Sequence, residues 1–348
     1  MDILTHALSG ALLARATAAN NTGPRALSLH ARIAAGALAA VFPDVDIVLR
    51  PLGTLAYLNL HQGYTHSLVM LPLWAVVLAA SFSLATRRRY GWRVFYGVAA
   101  LGIATHIAGD VITAYGAMLF APLSDRRYSL PLAFLIDPYF TALIVAALLA
   151  AMVFPAQRWI TGAGLAALAA YLVWLGLLQR QAVAVGAEYV QRQSLHGARS
   201  EALPQPLSPL HRQIIVSDGD RYHMAYVRLH GDPSTRLPWP GVLAEIAHAY
   251  TPAASAQWQV RHRFGATPGE IALALEAWRH PALAGFREFA LYPAFDHIAV
   301  TSAGTCVWFV DLRFVLPVLA PSFRFGLCRS NTDGAWRLQR IHGDFLID

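Results

Sequence analysis

Lysine is absent from this 348-residue chain, so arginine supplies every strongly basic side chain. Charge of any kind is scarce. Asp, Glu, Lys and Arg make up 14% of the residues, against about 25% in soluble domains. A well-filled soluble core does not explain so large a deficit. With 56% hydrophobic residues and a mean hydropathy of +0.43, the first reading is a membrane protein. Cysteine is nearly missing as well. Only Cys306 and Cys328 occur and neither belongs to a Cys-x-x-Cys, which excludes a thiolate zinc site. No basic segment precedes the apolar stretch that begins at Ile3, so that stretch is expected to remain in the mature protein. A net charge of +7 would suit nucleic acid if the arginines clustered on a soluble face. Many lie instead in short loops between apolar runs, where their usual role is topological, and no nucleic-acid partner is expected.

What is present divides the chain. Four runs, Ser67–Ala85, Val94–Thr113, Leu132–Phe154 and Ile160–Leu178, have the length and apolarity to cross a bilayer. Two shorter ones, Ile3–Ala19 and Ala31–Phe42, are rich in Ala and Gly and read as a closely packed helical hairpin. The expected architecture is a polytopic α-helical membrane domain of about six helices over 1–182. A proline-punctuated linker over 183–209 and a small soluble α+β domain over 210–348 follow. In the last part, Gln213–Ser217 and Tyr222–Leu229 flank Asp218-Gly219-Asp220 as a hairpin, and Pro268–Trp278 has helical spacing. Ile298–Ser302, Thr305–Phe314, Ser322–Cys328 and Ala335–Ile341 read as strands. If the two containing cysteine pair as a hairpin, Cys306 and Cys328 can face each other near its open end, and a disulfide is weighed there against two buried free thiols. Loop arginines orient the whole. Arg15, Arg25, Arg32, Arg87, Arg88, Arg89, Arg93 and Arg158 fall on one side, Arg50, Arg126 and Arg127 on the other. The expected location is therefore a bacterial inner membrane, multi-pass, with both termini and the C-terminal domain periplasmic.

Ionisable residues in apolar segments are expensive, and each is a functional candidate. Here they are Asp2, His6, Asp44, Asp46, His61, His66, His106, Asp110, Asp125 and Asp137. On the six-helix reading nearly all gather at the outer ends of helices. His106 and Asp110 are four apart on one helix and can share an ion. Asp44-Val45-Asp46 follows Pro43 at a helix end, so its carboxylates can approach from two directions. Mixed imidazole and carboxylate donors suit Zn, Mn or Fe better than Ca or Mg. The ligand candidates are His6, Asp44, Asp46, His61, His66, His106 and Asp110, with a divalent transition metal, zinc first, as cofactor. Asp2 and Asp137 also read as helix caps.

Several runs carry a family resemblance. They are Leu4-Thr5-His6-Ala7-Leu8-Ser9-Gly10, Phe42-Pro43-Asp44-Val45-Asp46, His61-Gln62-Gly63-Tyr64-Thr65-His66-Ser67 and His106-Ile107-Ala108-Gly109-Asp110. To these add Thr113-Ala114-Tyr115-Gly116, Pro122-Leu123-Ser124-Asp125-Arg126-Arg127 and Ile136-Asp137-Pro138. In order and spacing they resemble the YdjM-type membrane-bound metal-dependent hydrolases over roughly 1–150. Val310-Asp311-Leu312-Arg313-Phe314 looks like the tail of longer members, and Gln62 stands where that family usually has arginine. The family's ligand pattern is similar to the zinc-dependent phospholipase C group, which implies a multinuclear zinc site and phosphoester hydrolysis.

Such a metal would act as a Lewis acid, with Asp125 or Asp137 as general base and Arg126 and Arg127 clamping an anionic group. A site at the membrane surface points to a phosphoester or lipid-linked substrate, with membrane lipids as partners. Two rivals stand beside a hydrolase. One is a metal or proton transporter, opposed by polar residues that stay at one face. The other is a non-catalytic membrane regulator with a structural metal, opposed by the surplus of donors.

Overall fold

The computed structural model describes residues 1–18, 26–157, 159–231, 240–342 and 345–347. Arg25 and Arg158, used above for orientation, lie outside them. The chain forms two compact units, Met1–Leu177 and Leu178–Asp348.

The first unit is helical. Helix α1 (Ile3–Ala16) starts where the Asp2 carboxylate accepts the Thr5 N–H, and α2 (Leu29–Val41) starts at Ser28 in the same way. The two pack through small residues. A β-carbon added at Gly10 would lie 2.4 Å from the Gly36 carbonyl oxygen, and one at Gly36 would lie 2.5 Å from the Ala14 Cβ. Gly102 on α5 (Trp92–Val111) makes an equally close approach to Ala39 and Gly36. Three backbones are thus drawn together, as small residues permit in lipid. Arg32 donates to the Ala14 and Thr17 carbonyls, and Arg15 to that of Ala151, so two arginines expected in the first connection lie on α2 and α1 and satisfy helix-end acceptors.

After α2, Pro43 turns the chain into a 3-10 stretch, Phe42–Leu52, followed by α3 (Thr54–Leu60) and a single 3-10 turn, Tyr64–His66. Next come α4 (Leu71–Ala85) and α5, and then a long apolar loop leads to α6 (Pro138–Val153) and α7 (Trp159–Arg192).

The expectation of six membrane helices is not supported. Among the described residues two helices, α5 and α7, have the length and apolarity to cross a bilayer. A third span results if α3 with the following turn, bent by 78° against α4, counts as one. The reason is length. At 14 and 16 residues α1 and α6 reach only about 21–24 Å against a hydrocarbon core of roughly 30 Å. The run Leu132–Phe154 contains apolar loop before Pro138, where the helix begins.

Among the described residues the second unit contains two five-stranded sheets. The first is built from β1 (Arg199–Pro204), β2 (His211–Asp218), β3 (Arg221–Arg228), β4 (Thr251–Pro252) and β5 (Gln259–His262), with the short helix α8 (Val242–His248) before β4. Helices α9 (Pro268–Arg279) and α10 (Ala284–Phe289) follow. The second sheet is an antiparallel meander of β6 (Pro293–Val300), β7 (Gly304–Asp311), β8 (Arg324–Ser330), β9 (Trp336–His342) and β10 (Phe345–Ile347).

The linker expected over 183–209 needs correcting. It holds the last turns of α7 and strand β1. Gly186 lets α7 press against Ser200 and Ile214, and Pro204 is tolerated because β1 is an edge strand. Strands β7 and β8 pair with Cys306 opposite Cys328, and the two form a disulfide. Buried Asp311 accepts from the backbone N–H of Leu291 and Tyr292 and from the Arg313 guanidinium, which sits beside the stacked Phe289 and Phe314 rings.

Candidate metal centre

The close approach of α1, α2 and α5 carries His6, the end of α2, and His106 with Asp110 to one place. Asp44, His66, His106 and Asp110 offer ligand atoms that all lie within 4.8 Å of one another, a group that could hold a metal ion. His66 and His106 are fully buried, Asp110 nearly so, and Asp44 is partly open.

The hydrogen bonds around the imidazoles fix which nitrogens are free. His106 Nδ1 donates to the Ala40 carbonyl at 2.6 Å, in the last turn of α2 where carbonyls lose their intrahelical donors. With the Thr65 hydroxyl assigned as donor to Asp46 Oδ2 at 3.4 Å, its oxygen accepts from His66 Nδ1 at 2.9 Å. Both histidines therefore turn an Nε2 lone pair inward, an orientation set by the partner of the other nitrogen.

These two Nε2 atoms face each other at 2.9 Å, and each is 3.1 Å from Asp110 Oδ2. Asp44 Oδ1 stands 3.8 Å from His66 Nε2 and 3.6 Å from His106 Nε2. Asp110 Oδ2 is buried and, among the described residues, accepts no hydrogen bond. Four acceptors thus converge with no donor among them. Protonating one imidazole would supply a single N–H. A buried unsatisfied carboxylate oxygen is costly, and a cation at the focus relieves all four at once. The donor set fits a divalent transition metal.

The remaining candidates surround this group. Asp110 Oδ1 accepts from His6 Nε2 at 3.1 Å and from the Met1 amino group, and the His6 ring stacks on His106 with centroids 3.7 Å apart. His6 thus reaches the group through Asp110. A second group, Asp44, Asp46 and His61, shares Asp44 with the first. Within it His61 Nδ1 donates to Asp46 Oδ1 at 2.9 Å, while Asp46 Oδ2 accepts the Gln62 backbone N–H at 3.0 Å.

The proposed acid–base and anion residues are placed differently. Asp137 Oδ1 caps α6 by accepting from Tyr139 and Phe140, and both its oxygens accept from the Tyr171 hydroxyl. Arg127 donates to the carbonyls of Gly116, Leu58, Asn59 and His61, pinning the end of α3 and the histidine loop. Asp125 and Arg126 are exposed, the Arg126 guanidinium 5.3 Å from the Tyr128 ring centroid. Sequence reasoning missed the orienting groups Thr65 and the Ala40 carbonyl. Thr65 had a signal, since it sits beside His66 inside the run already singled out; a main-chain carbonyl has none.

A helical unit with helices long and apolar enough to cross a membrane, and a buried His/Asp group, defines a class of membrane protein with a possible metal site. The chain belongs to the YdjM inner membrane protein family, whose model matches residues 1–182. It is similar to the uncharacterized protein YfhP of Bacillus subtilis, 29% identical over 140 residues. That match covers 40% of this chain and 42% of YfhP, so the chain aligns with less than half of its relative. No solved structure matches.

Proposed function

We propose that the chain is a multi-pass, membrane-bound, metal-dependent hydrolase that cleaves a phosphoester, with its site on the periplasmic side. The observation that carries this reading is the orphaned Asp110 Oδ2, buried against two inward-facing imidazole nitrogens. Asp44, His66, His106 and Asp110 would hold the ion, zinc first. When bound, such an ion supplies Lewis acidity toward a phosphoryl oxygen and toward water.

The chain's own residues do the rest. His6 fixes the Asp110 carboxylate through Oδ1, which leaves Oδ2 for the ion. Asp46 holds His61 by Nδ1, so Nε2 is where His61 can take or give a proton. Arg127 fastens the backbone that carries His61, and Asp137 anchors α6; both are positioning residues in this reading. Arg126, exposed on the nearby sequence run, is free to meet an anionic head.

The periplasmic assignment rests on α5. Arg87, Arg88, Arg89 and Arg93 cluster at its start, while His106 and Asp110 lie 14 and 18 residues beyond Trp92. At 1.5 Å per residue that is roughly 20–30 Å, the scale of the hydrocarbon core. The disulfide in the second unit supports the same side, because such bonds persist in oxidising compartments.

Elemental analysis of detergent-purified protein tests the metal, with a phosphomonoesterase and phosphodiesterase screen on the same sample. His66→Ala and His106→Ala should each lose the metal and any hydrolysis while the protein still inserts. Full metal content in both variants rejects the centre. Labelling of single cysteines at Ser129 from outside and at Arg88 only from inside tests the orientation, and the reverse pattern moves the site to the cytoplasm.

A further inference from the structure

Beside the metal centre lies a cavity of about 840 Å³, within the range of small-molecule sites. One end is polar, with Asp2, Asp44 and His61 among its lining residues. The rest is walled by Leu38, Val41 and Phe42 of α2 and its continuation, and by Leu78 and Phe82 of α4. These spacings, i to i+3 and i+4, place each set on one helix face. The result is an apolar slot that leads away from the carboxylate and imidazole groups.

The mouth is apolar too. Ile3, Leu38, Val45, Ile47 and Ile136 line the cavity and are 45–60% exposed. In a soluble protein so much contiguous apolar exposure marks an interaction surface. In a member of an inner-membrane family with membrane-spanning helices, the phase that covers it is lipid. A water-soluble phosphoester has no use for such a slot, and a flat protein partner could not fill it. An amphiphile drawn from the bilayer matches both ends.

We propose that this cavity binds an acyl chain of a membrane phospholipid whose phosphate-ester head lies at Asp44 and His61. The position and fate of the head rest on the metal-dependent hydrolase reading, since without an ion Asp2 and Asp44 repel a phosphate; the chain site stands on the slot and its rim. Each methylene buried in the slot is worth roughly fourfold in affinity. Discrimination among lipids then follows chain length as well as head chemistry.

The test uses the full chain in detergent micelles and a phosphatidate carrying a diazirine on its acyl chain. Saturable crosslinks should map to Leu38–Phe42 and Leu78–Phe82. Unlabelled phosphatidate should compete, and glycerol phosphate, which has the head without the chain, should not. Leu38→Trp, which displaces two or three methylenes, should weaken labelling by about 15- to 60-fold. Val173→Trp, on a 66%-exposed position of α7 outside the cavity, should leave it unchanged. Equal competition by glycerol phosphate overturns the proposal, as does labelling that never saturates. Polyprenyl phosphate that competes better than phosphatidate overturns the assignment to an acyl lipid. The wild-type competition decides these points without any variant.

His106→Ala separates the two readings. It should lose metal but keep the crosslink, because the slot is apolar. Metal and hydrolysis without saturable crosslinking would leave the hydrolase and remove the chain site; saturable crosslinking without metal would do the reverse.

Discussion

Asp110→Asn replaces one of four converging acceptors with a donor and should have opposite effects in the metal-free and metal-loaded protein. Without metal, the native carboxylate places Oδ2 3.1 Å from two imidazole nitrogens that also accept. An asparagine can turn its NH₂ toward both while its carbonyl still accepts from His6. Two neutral hydrogen bonds contribute about 1–2 kcal/mol after the weakened contact to the Met1 amine is allowed for. For a unit of this size that is roughly 2–8 °C in Tm. With metal the sign reverses. An ion at 100 times its Kd adds about 2.7 kcal/mol to the native protein, or roughly 5–11 °C, and the neutral amide forfeits most of that. Thermal unfolding in detergent, with chelator or with zinc, measures both effects. The wild type should rise with zinc, and the variant should start at or above the metal-free wild type and stay there. If Asp110→Asn keeps the wild-type zinc shift and unfolds below the metal-free wild type, the acceptor cluster is not a metal site.

Gly36→Val should destabilise the helical unit by about 1–3 kcal/mol or more and lower metal content with it, since its Cβ would meet Ala14 and Gly10 backbone at 2.5 and 2.7 Å; melting curves and elemental analysis read the two losses together. In the second unit, burial pushes the His211 imidazole down to about 4 from 6.5. The unfolded chain takes up that proton first, so stability is full above pH 6.5 and falls toward pH 4, by up to about 3 kcal/mol. Urea midpoints across that window in wild type and His211→Gln should differ in slope, and parallel curves would refute the assignment. Thiol counting in denaturant without reductant should find no reactive thiol, and with reductant two; two thiols from the start would remove the disulfide and weaken the periplasmic assignment.

Much of the site was legible because charge in an apolar segment is costly and therefore conspicuous. His66, His106, Asp110 and Asp44 could be picked out from the first half with no knowledge of the fold. Their partners could not. Asp137 is bound by Tyr171, 34 residues on, and nothing in the local run predicts that pairing. Arg127 had the chemistry of an anion clamp, yet four carbonyls hold it. A guanidinium matches a helix end as readily as a phosphate. Helix number was misread for a related reason. Apolarity separates lipid from water, but it does not separate helix from apolar loop, and Leu132–Ile136 is loop. Strand β1 was hidden by the prolines beside it, which break helices yet are tolerated on a sheet edge.

The placement of the centre follows from the packing that supports it. Glycines at 10, 36 and 102 bring α1, α2 and α5 within backbone contact, which leaves no room for a polar side chain between them at those crossings. The helix ends are different. There α2 runs out of intrahelical donors, and its Ala40 carbonyl accepts from His106. Pro43 bends the chain so that Asp44 and Asp46 turn back toward that same end. A buried imidazole needs one nitrogen satisfied before the other can be offered to an ion, and unsatisfied helix-end carbonyls are the nearest acceptors in an apolar bundle. The same helix ending therefore satisfies a backbone group, fixes a tautomer, and positions the carboxylate that completes the set. Moving the proline back to position 42 would disturb all three, although it changes no candidate ligand.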